Sequence, residues 1–407
     1  MIGLSLSSLS SPRSLSSLRS PRSLSSLRTL SSLLALLALL TLTACTSGSS
    51  SDAPGEETPD NPTQPVQTEK PITFSSGLAN EEAVTRAEGL ETVAKTFKVW
   101  AYKNMSYDGG SYGVLQTVID GYTVNWVQNT ALTTESNTDD WEYVNQQPTG
   151  QLEQTIKYWD WSAKAYRFFG WAPGKAGENI TPITPQGAQE TQEPQGYTLT
   201  ISGLNATSDE TIAAAPYFSK LWFSNGNPAD YPNRRFGYPV KLEFLKPFAR
   251  VRYLFTFADG LTLTDNDLSE PLFHPTATDK SIAVQGTVTI TYPLTGSGTE
   301  YTWTSSPESS SSGNAYLDRT QELGKYDKWY TVLPMKNQGT YTLSVVVVGG
   351  EPQTTVVPAE YMTWAPGHQY TYIFKILEGG EVVLENLQVF INDWNVTDNV
   401  DHTIYNW

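Results

Sequence analysis

Cysteine is almost missing from this chain, because Cys45 is the only one among 407 residues. No disulfide can therefore form within the chain, and stability has to come from burial of apolar side chains. The 12 Trp, 22 Tyr and 14 Phe residues supply ample material for such burial. The sequence also has no C-x-x-C pair, so the redox and zinc motifs that need two cysteines are excluded.

Histidine is nearly as scarce as cysteine. His274, His368 and His402 stand in separate local contexts without a partner at metal-ligand spacing. The H-E-x-x-H pattern, the phosphate-binding loop and the G-x-S-x-G nucleophile motif are all absent. We interpret His368, which follows Pro366-Gly367, as a turn residue. The sequence therefore predicts no catalytic residue, no metal site and no cofactor, and the protein is not expected to be an enzyme.

Positive charge is outweighed by negative charge. The formal net charge is −16, and residues 1–44 contain four arginines and no acid, so the chain beyond residue 44 carries −20. Nucleic-acid binding needs basic patches, and anionic membranes attract basic segments. The acidic balance argues against both kinds of partner.

The N-terminal region has the composition of a secretory signal. An arginine-containing, acid-free lead is followed by an uncharged leucine-rich run from Leu30 to Ala44. This run is shorter than the roughly 20 residues that a membrane-spanning helix needs, and it fits the apolar region of a signal peptide. Leu42-Thr43-Ala44-Cys45 resembles the lipobox of bacterial lipoproteins. The resemblance implies that residues 1–44 are a lipoprotein signal peptide and that Cys45 is lipidated. The alternative is a buried thiol in an ordinary helix.

A polar, proline-rich stretch follows the lipobox. Its low hydrophobicity predicts a disordered tether over residues 45–71. The folded part is then expected to begin near Ile72. A second proline-rich segment, Asn225 to Pro232, divides the remainder into a predicted N-terminal domain, 72–235, and a C-terminal domain, 236–407, which opens with the strand Val240 to Phe244.

Alternation with a period of two dominates the folded part. Phe97 to Tyr102, Tyr122 to Trp126, Tyr166 to Trp171 and Tyr197 to Ile201 alternate between two faces and are separated by turn residues. Many short strands with such spacing predict an all-β fold of the β-sandwich type.

Other segments predict two helices, a central strand and an exposed loop. Glu81 to Val93 is the best helix candidate, and Asp209 to Ala215 is a second, shorter one. Val345 to Val348 is apolar on both faces, which predicts a central strand. Thr304 to Asn314 is rich in serine, which predicts an exposed loop.

Aromatic residues beside an acid form the one enzyme-like pattern. Tyr158-Trp159-Asp160-Trp161 can be interpreted as a sugar-binding platform with a carboxylate, or as strand aromatics that fill a core. Glycosidases need two carboxylates at a set separation, and one sequence motif supplies only one. We favour the core. Exposed rings at Trp159, Trp161 or Trp171 would instead favour glycan binding.

Several segments together resemble the fimbrillin family, the lipoprotein subunits of type V pili. They are Ile72-Thr73-Phe74, Thr85-Arg86-Ala87, Phe97 to Tyr102, Tyr166 to Pro173, Trp364 to Tyr372 and Val389 to Trp394. Their order and spacing cover nearly all of residues 72–396. The resemblance implies two tandem transthyretin-like β-sandwich domains.

The resemblance also implies a mechanism of assembly. In the family, a trypsin-like protease cuts after an arginine and removes an N-terminal strand, and a strand from a neighbouring subunit then fills the groove. Arg86 and Ala87 match this cleavage position, and Ile72 and Phe74 match the exchanged strand. An ordinary exposed loop arginine is the alternative for Arg86. Exchange of this kind is β-augmentation, in which a sheet edge is completed in trans.

These observations predict a fimbrillin-like lipoprotein of the outer membrane and cell surface. Its expected partners are other pilus subunits, a host or glycan ligand, and the membrane through a lipid anchor, but no nucleic acid. The alternatives are a surface glycan-binding lipoprotein and, less favoured, a secreted glycan hydrolase. The sequence leaves open the role as stalk, anchor or tip. It also leaves open whether the region Leu384 to Val400 is donated or, as we favour for Leu387 to Trp394, forms a core strand.

Overall fold

The computed structural model describes residues 69–78, 90–92, 94–128, 133–174, 183–186, 196–264, 267–277, 282–295, 301–308, 317–318, 329–336 and 339–391. Cys45, Arg86, Ala87, His402 and the chain after Ile391 lie outside these ranges. Within the described residues, no helix is both long and apolar enough to cross a membrane.

The described chain is almost entirely β-structure, which confirms the predicted all-β class. In its first part the strands are β1 (Phe74–Leu78), β2 (Thr96–Asp108), β3 (Ser111–Trp126), β4 (Trp141–Glu142), β5 (Ala165–Ala172), β6 (Ile183–Gln186), β7 (Tyr197–Asn205), β8 (Tyr217–Ser219), β9 (Trp222–Ser224) and β10 (Val240–Leu245). The later strands are β11 (Ala249–Phe257), β12 (Leu268–Pro275), β13 (Gln285–Tyr292), β14 (Thr302–Pro307), β15 (Leu317–Asp318), β16 (Tyr330–Val332), β17 (Tyr341–Val347), β18 (Pro352–Val357), β19 (His368–Ile376) and β20 (Val382–Ile391).

Helical structure is short. The helix α1 (Asp209–Ala214) confirms the second helix candidate. Of the first candidate, Glu81 to Val93, the structure describes a 3-10 turn at Leu90–Thr92, and the remainder lies outside the described residues. A second 3-10 turn is Ala359–Tyr361.

The strands form four sheets. The first has the order β1-β10-β8-β5-β2-β3-β4, with β9 also paired to β5, and the second has the order β14-β13-β7-β6. The third is β16-β11-β19-β20, and the fourth is β15-β12-β17-β18. One buried cluster joins the first and second sheets, and another joins the third and fourth. These paired sheets are the predicted β-sandwich architecture.

Strand pairing links the two sides of the predicted boundary at residue 235. The strand β10, expected to open the second domain, instead lies in the first sheet between β1 and β8. Burial explains the position of β10, because Val240, Leu242 and Phe244 enter the same core cluster as Phe74. The boundary is also crossed in the second sheet, where β7 pairs with β13.

Two glycines of the motifs that carried the resemblance have a steric role. A Cβ at Gly170 would lie 2.2 Å from the carbonyl oxygen of Lys98 on the neighbouring strand. Gly367 has a φ of +78°, and a Cβ there would lie 2.7 Å from Leu245. Both positions therefore need a residue without a side chain, one for close strand approach and the other for a left-handed turn.

Two strand predictions need correction. The strand β17 is central in the fourth sheet, as expected, but the run Val345 to Val348 is not buried on both faces. Val346 within β17 is half-buried, and Val348, directly after β17, is 61% exposed. Of the serine-rich segment Thr304 to Asn314, expected to be an exposed loop, residues 304–307 instead lie in β14, which pairs with β13, and residues 309–314 lie outside the described residues. In β14, Trp303 is buried in the cluster between the first and second sheets, while its neighbours Thr302 and Thr304 are exposed.

Candidate strand-docking site

The candidate site is built around residues 69–78, the first described segment. Of the predicted site residues, Ile72 and Phe74 belong to it, and both are 0% exposed. The predicted lipidation site Cys45 and the cleavage positions Arg86 and Ala87 lie outside the described residues. The structure therefore places Ile72 and Phe74 in the same buried segment. Their role in an exchanged strand stays a prediction.

Backbone hydrogen bonds hold this segment on two sides. Its first half lies against the loop that precedes β5, where the Ile72 amide donates to the Lys157 carbonyl at 2.7 Å and the Trp159 amide donates to the Lys70 carbonyl at 3.0 Å. Its second half, β1, runs parallel to β10, with Phe74 opposite Val240. The Val240 amide donates to the Thr73 carbonyl at 2.8 Å. The segment is thus inserted between a loop and a strand.

Phe74 fills an aromatic pocket. Its ring centroid lies 5.6 Å from that of Tyr143, 6.0 Å from that of Phe168 and 6.1 Å from that of Phe97, each in an edge-to-face arrangement. Such geometry adds roughly 0.5–1.5 kcal/mol per pair to the gain from burial. Because Phe74 is the only ring that this segment contributes, it is the main apolar anchor of residues 69–78.

Tyr143 ties the segment to the loop that covers it. Its hydroxyl donates to the carbonyl of Ile72 at 3.0 Å and accepts from the amide of Lys157 at 3.0 Å. Burial raises the pKa of Tyr143, so the hydroxyl keeps its proton as a donor. Sequence reasoning missed this residue, although its place in the alternating Trp141-Glu142-Tyr143 marks a buried side chain.

Two buried polar side chains organise the covering loop. The carboxylate of Glu142 accepts hydrogen bonds from the amides of Thr134, Tyr143 and Val144, and from the hydroxyl of Ser136. Burial acts to raise the pKa of Glu142, but these hydrogen bonds outweigh it and lower the pKa. Glu142 therefore holds this part of the loop as an ionised acceptor.

Gln154 also holds the covering loop in place, at the edge of β3 next to Thr123. Its amide accepts from the Thr123 backbone N–H at 2.7 Å and donates to the Thr123 carbonyl at 2.8 Å. It also donates to the Tyr143 carbonyl. The side chain thereby replaces a strand partner and connects β3 to the loop. Neither Glu142 nor Gln154 carries a signal in the sequence that distinguishes it from an exposed polar residue.

At the start of the segment, Lys70 lies against a small exposed patch. Its ammonium is 5.2 Å from the centroid of the Tyr238 ring, and the guanidinium of Arg235 is 5.6 Å from the same centroid. A Cβ at Gly237 would lie 3.0 Å from the Lys70 stem and 2.9 Å from the Trp161 ring. The absent side chain at Gly237 thus makes room for both groups.

The aromatic motif Tyr158 to Trp161 is divided between core and surface. Trp159 is buried and stacks on Phe236 with a centroid distance of 5.4 Å. Trp161 is 38% exposed, while Trp171 is half-buried. The Asp160 carboxylate accepts from the Lys103 ammonium at 2.6 Å, and this bond, followed by those from Ser162, lowers the pKa of Asp160 to about 2. Asp160 therefore serves as an ion-pair partner.

The described residues contain no group of three or more His, Cys, Asp or Glu side chains that could hold a metal ion. The ring nitrogen Nδ1 of His274 lies 2.7 Å from the Pro275 carbonyl, and that of His368 lies 2.8 Å from the Pro366 carbonyl. Both ring nitrogens thus engage a nearby backbone carbonyl, within β12 for His274 and in the turn before β19 for His368.

Comparison with known protein families gives one match. Residues 85–394, roughly three quarters of the chain, match the model of a family described as fimbrillin-like. No curated protein matches the chain. The matched region begins after β1, so it includes the predicted cleavage position but not the segment that carries Ile72 and Phe74.

Solved structures with a similar course of the chain include three from Bacteroides species. A fimbrial protein from Bacteroides vulgatus is 13% identical, with a TM-score of 0.35, and the match covers 78% of this chain and 99% of that one. A protein proposed to act in cell adhesion, from Bacteroides uniformis, is 15% identical, with a TM-score of 0.31 and coverage of 80% and 98%. A proposed polysaccharide-binding protein from Bacteroides thetaiotaomicron is 10% identical, with a TM-score of 0.26 and coverage of 80% and 96%. Because these TM-scores are low, the family assignment depends on the sequence match.

Proposed function

The chain belongs to the fimbrillin-like family, and we propose that it is a pilus subunit that assembles by strand exchange after its N-terminal strand is released. Membership in the family indicates a fimbrial or adhesion role at the cell surface. The exchange step, the lipid anchor at Cys45 and the cut between Arg86 and Ala87 are the further parts of the proposal. Other pilus subunits are its expected partners.

The observation that carries the proposal is the burial of Phe74 on a strand at the end of the first sheet. Phe74 and Ile72 are core residues, yet they reach that core from a segment that precedes Arg86 in the chain. A cut after Arg86 would separate this segment from the rest of the fold. Its departure would expose apolar surface and the unpaired backbone groups of β10, which a strand from a neighbour could cover.

Limited proteolysis tests the proposal. The full-length precursor is treated with trypsin at a low ratio, and the products are analysed by N-terminal sequencing and size-exclusion chromatography. We expect one early cut, between Arg86 and Ala87, followed by the appearance of polymers. The Arg86→Ala variant is the control and should remain uncut and monomeric. Resistance at Arg86 combined with ready cleavage elsewhere would sink the proposal.

A glycan-binding surface is the second candidate function, and the exposed ring of Trp161 is the observation that favours it. Tyr238, the residue after Gly237, is 51% exposed and is a second exposed ring near the Lys70 side chain. Burial of Trp159 in the core favours the structural role instead. A glycan array with the purified chain and its Trp161→Ala variant distinguishes the two, since loss of a specific signal in the variant requires Trp161 to touch the sugar.

A further inference from the structure

We infer that the groove occupied here by residues 69–78 recognises three side chains of an incoming strand. At every second position, the strand should carry a basic residue, then a branched aliphatic residue, then an aromatic residue. This inference rests on the proposed function. It specifies the chemistry of the partner segment, which is an extended strand of another subunit that reproduces what Lys70, Ile72 and Phe74 present here.

The pattern follows from the side chains that the segment presents before and at the start of β1. Ile72 and Phe74, two positions apart in an extended segment, are both buried. Ile72 and Phe74 belong to the core cluster that also contains Val240, whereas Lys70 is exposed and its ammonium lies over the Tyr238 ring. The groove is therefore expected to recognise two buried side chains, at positions 72 and 74, and one exposed cation, at position 70.

The aromatic position is the most demanding. The rings of Phe97, Tyr143 and Phe168 surround Phe74 edge-on at centroid distances of 5.6–6.1 Å. An alanine would leave a cavity among these rings. A tyrosine would bring a hydroxyl into an apolar pocket, where a hydroxyl without a hydrogen-bond partner is costly. Phenylalanine is therefore the preferred side chain.

The basic position is set by three residues at the mouth of the groove. Gly237 has a φ of +78° and no side chain, so the lysine stem passes over it beside the Trp161 ring. The ammonium then reaches the face of Tyr238. A cation over an exposed aromatic face contributes less binding free energy than a buried ring does. We therefore expect the basic position to change the affinity modestly and the aromatic position to determine most of it.

The C-terminal region of this chain does not carry the pattern. Lys375 is the last lysine or arginine, and residues 398–407 contain Asp398 and Asp401. A tail of this composition offers no cation to Tyr238. The groove is therefore expected to favour a basic strand over residues 398–407 of an identical chain.

A peptide-binding experiment tests the inference. The full-length chain is cut with trypsin after Arg86, trypsin is inhibited, and labelled peptides are followed by fluorescence anisotropy. The reference peptide comprises residues 69–78, whose Lys70-Pro71 bond resists trypsin. We expect the Phe74→Ala peptide to bind about 100-fold more weakly or worse, and the Lys70→Glu peptide about 3- to 10-fold more weakly. The Lys70→Arg and Ser75→Ala peptides should bind within about twofold of the reference.

A protein variant separates recognition from a general loss of structure. Tyr238→Ala removes an exposed ring that the core does not need. In this variant the Lys70→Glu peptide should lose most of its disadvantage, while the Phe74→Ala peptide should keep its own. Equal binding of the reference, the Phe74→Ala peptide and the peptide of residues 398–407 would overturn the inference and leave strand exchange intact. Failure of the reference peptide to bind the cut chain, with the uncut chain as control, would instead contradict the proposed function and the inference with it.

Discussion

The hydroxyl of Tyr143 donates a hydrogen bond to the carbonyl oxygen of Ile72, 71 residues earlier in the chain, at 3.0 Å. This bond joins the covering loop to the segment that we propose is exchanged. The same hydroxyl accepts from the amide of Lys157, so one atom bonds both the segment and the loop that precedes β5.

Tyr143→Phe should therefore loosen the N-terminal segment. The substitution keeps the ring that touches Phe74 but leaves the Ile72 carbonyl and the Lys157 amide without this partner. We expect a loss of about 1–3 kcal/mol in the free energy of unfolding. Hydrogen–deuterium exchange should accelerate at residues 70–73. Urea denaturation and mass-spectrometric exchange measure the two effects.

Tyr122→Phe is the matched control for this prediction. Tyr122 lies 5.9 Å from the Tyr143 ring and is half-buried, but its hydroxyl does not bond to the segment. Its removal should change the free energy of unfolding by less than about 0.5 kcal/mol. Equal exchange rates in both variants and the parent would show that the Tyr143 hydroxyl does not hold the segment.

Gly170→Ala should be strongly destabilising. The new Cβ would lie 2.2 Å from the Lys98 carbonyl oxygen, a separation that the paired strands β2 and β5 must widen to relieve. We expect a cost of about 3 kcal/mol or more, at the upper end of the range for overpacking. Gly379→Ala is the control, because a Cβ there meets nothing within 4 Å and should leave stability unchanged or slightly higher. Thermal melts followed by circular dichroism rank the variants, and equal melting temperatures would contradict the steric argument.

Much of the strand content could be predicted from the sequence because alternation is a local signal. In β2 and β5, side chains of opposite faces enter two different clusters, so Phe168 and Phe169 serve separate cores. Ile72 and Phe74, two positions apart, are also expected to share a face, and both are buried, although Thr73 between them is buried as well. This alternation can be recognised in the sequence without knowing which strands pair with each other.

Pairing partners and polar contacts could not be predicted, because they depend on residues distant in the chain. The alternation in β10 predicts that the strand has a buried face, but it does not predict to which sheet the strand belongs. Gln154 and Glu142 act through backbone groups that any sequence supplies. The serines of β14 are weak strand formers, and the pairing with β13 overrides that preference.

Lys246 should leave a signature in the pH dependence of stability. Its side chain is 2% exposed, and its ammonium donates to the carbonyls of Ala213 and Ala215 and lies 3.9 Å from the centroid of the Tyr217 ring. Burial lowers the pKa of Lys246 from 10.5 to about 7. Between these two values the unfolded chain binds the proton more tightly than the folded chain does. The contribution of Lys246 to stability therefore rises with pH above about 7.

Lys246→Met keeps an apolar stem and removes the charge, so this rise should disappear. Relative to the parent, the free energy of unfolding of the variant should fall by up to about 1.4 kcal/mol for each pH unit above 7. Urea denaturation at pH 7, 8 and 9 measures the difference. Lys220→Met, which removes the partner of Glu243, is the control and should keep the parental slope. Parallel pH profiles for the parent and Lys246→Met would show that the buried ammonium does not titrate in this range.

Cys45 and Arg86 predict two different mature N-termini, and the order of the two processing steps decides which one is seen. If lipidation delivers the chain and cleavage then releases it, subunits in pili should begin at Ala87 and carry no lipid. In cells with Arg86→Ala, the chain should remain acylated at Cys45 and stay with the membrane fraction, because several acyl chains hold a protein far more firmly than one. Cys45→Ser should prevent membrane retention in both backgrounds. Mass spectrometry of the N-terminal peptide from membrane and pilus fractions makes the measurement. Acylated Cys45 in assembled pili would identify the chain as a retained anchor and contradict release by cleavage.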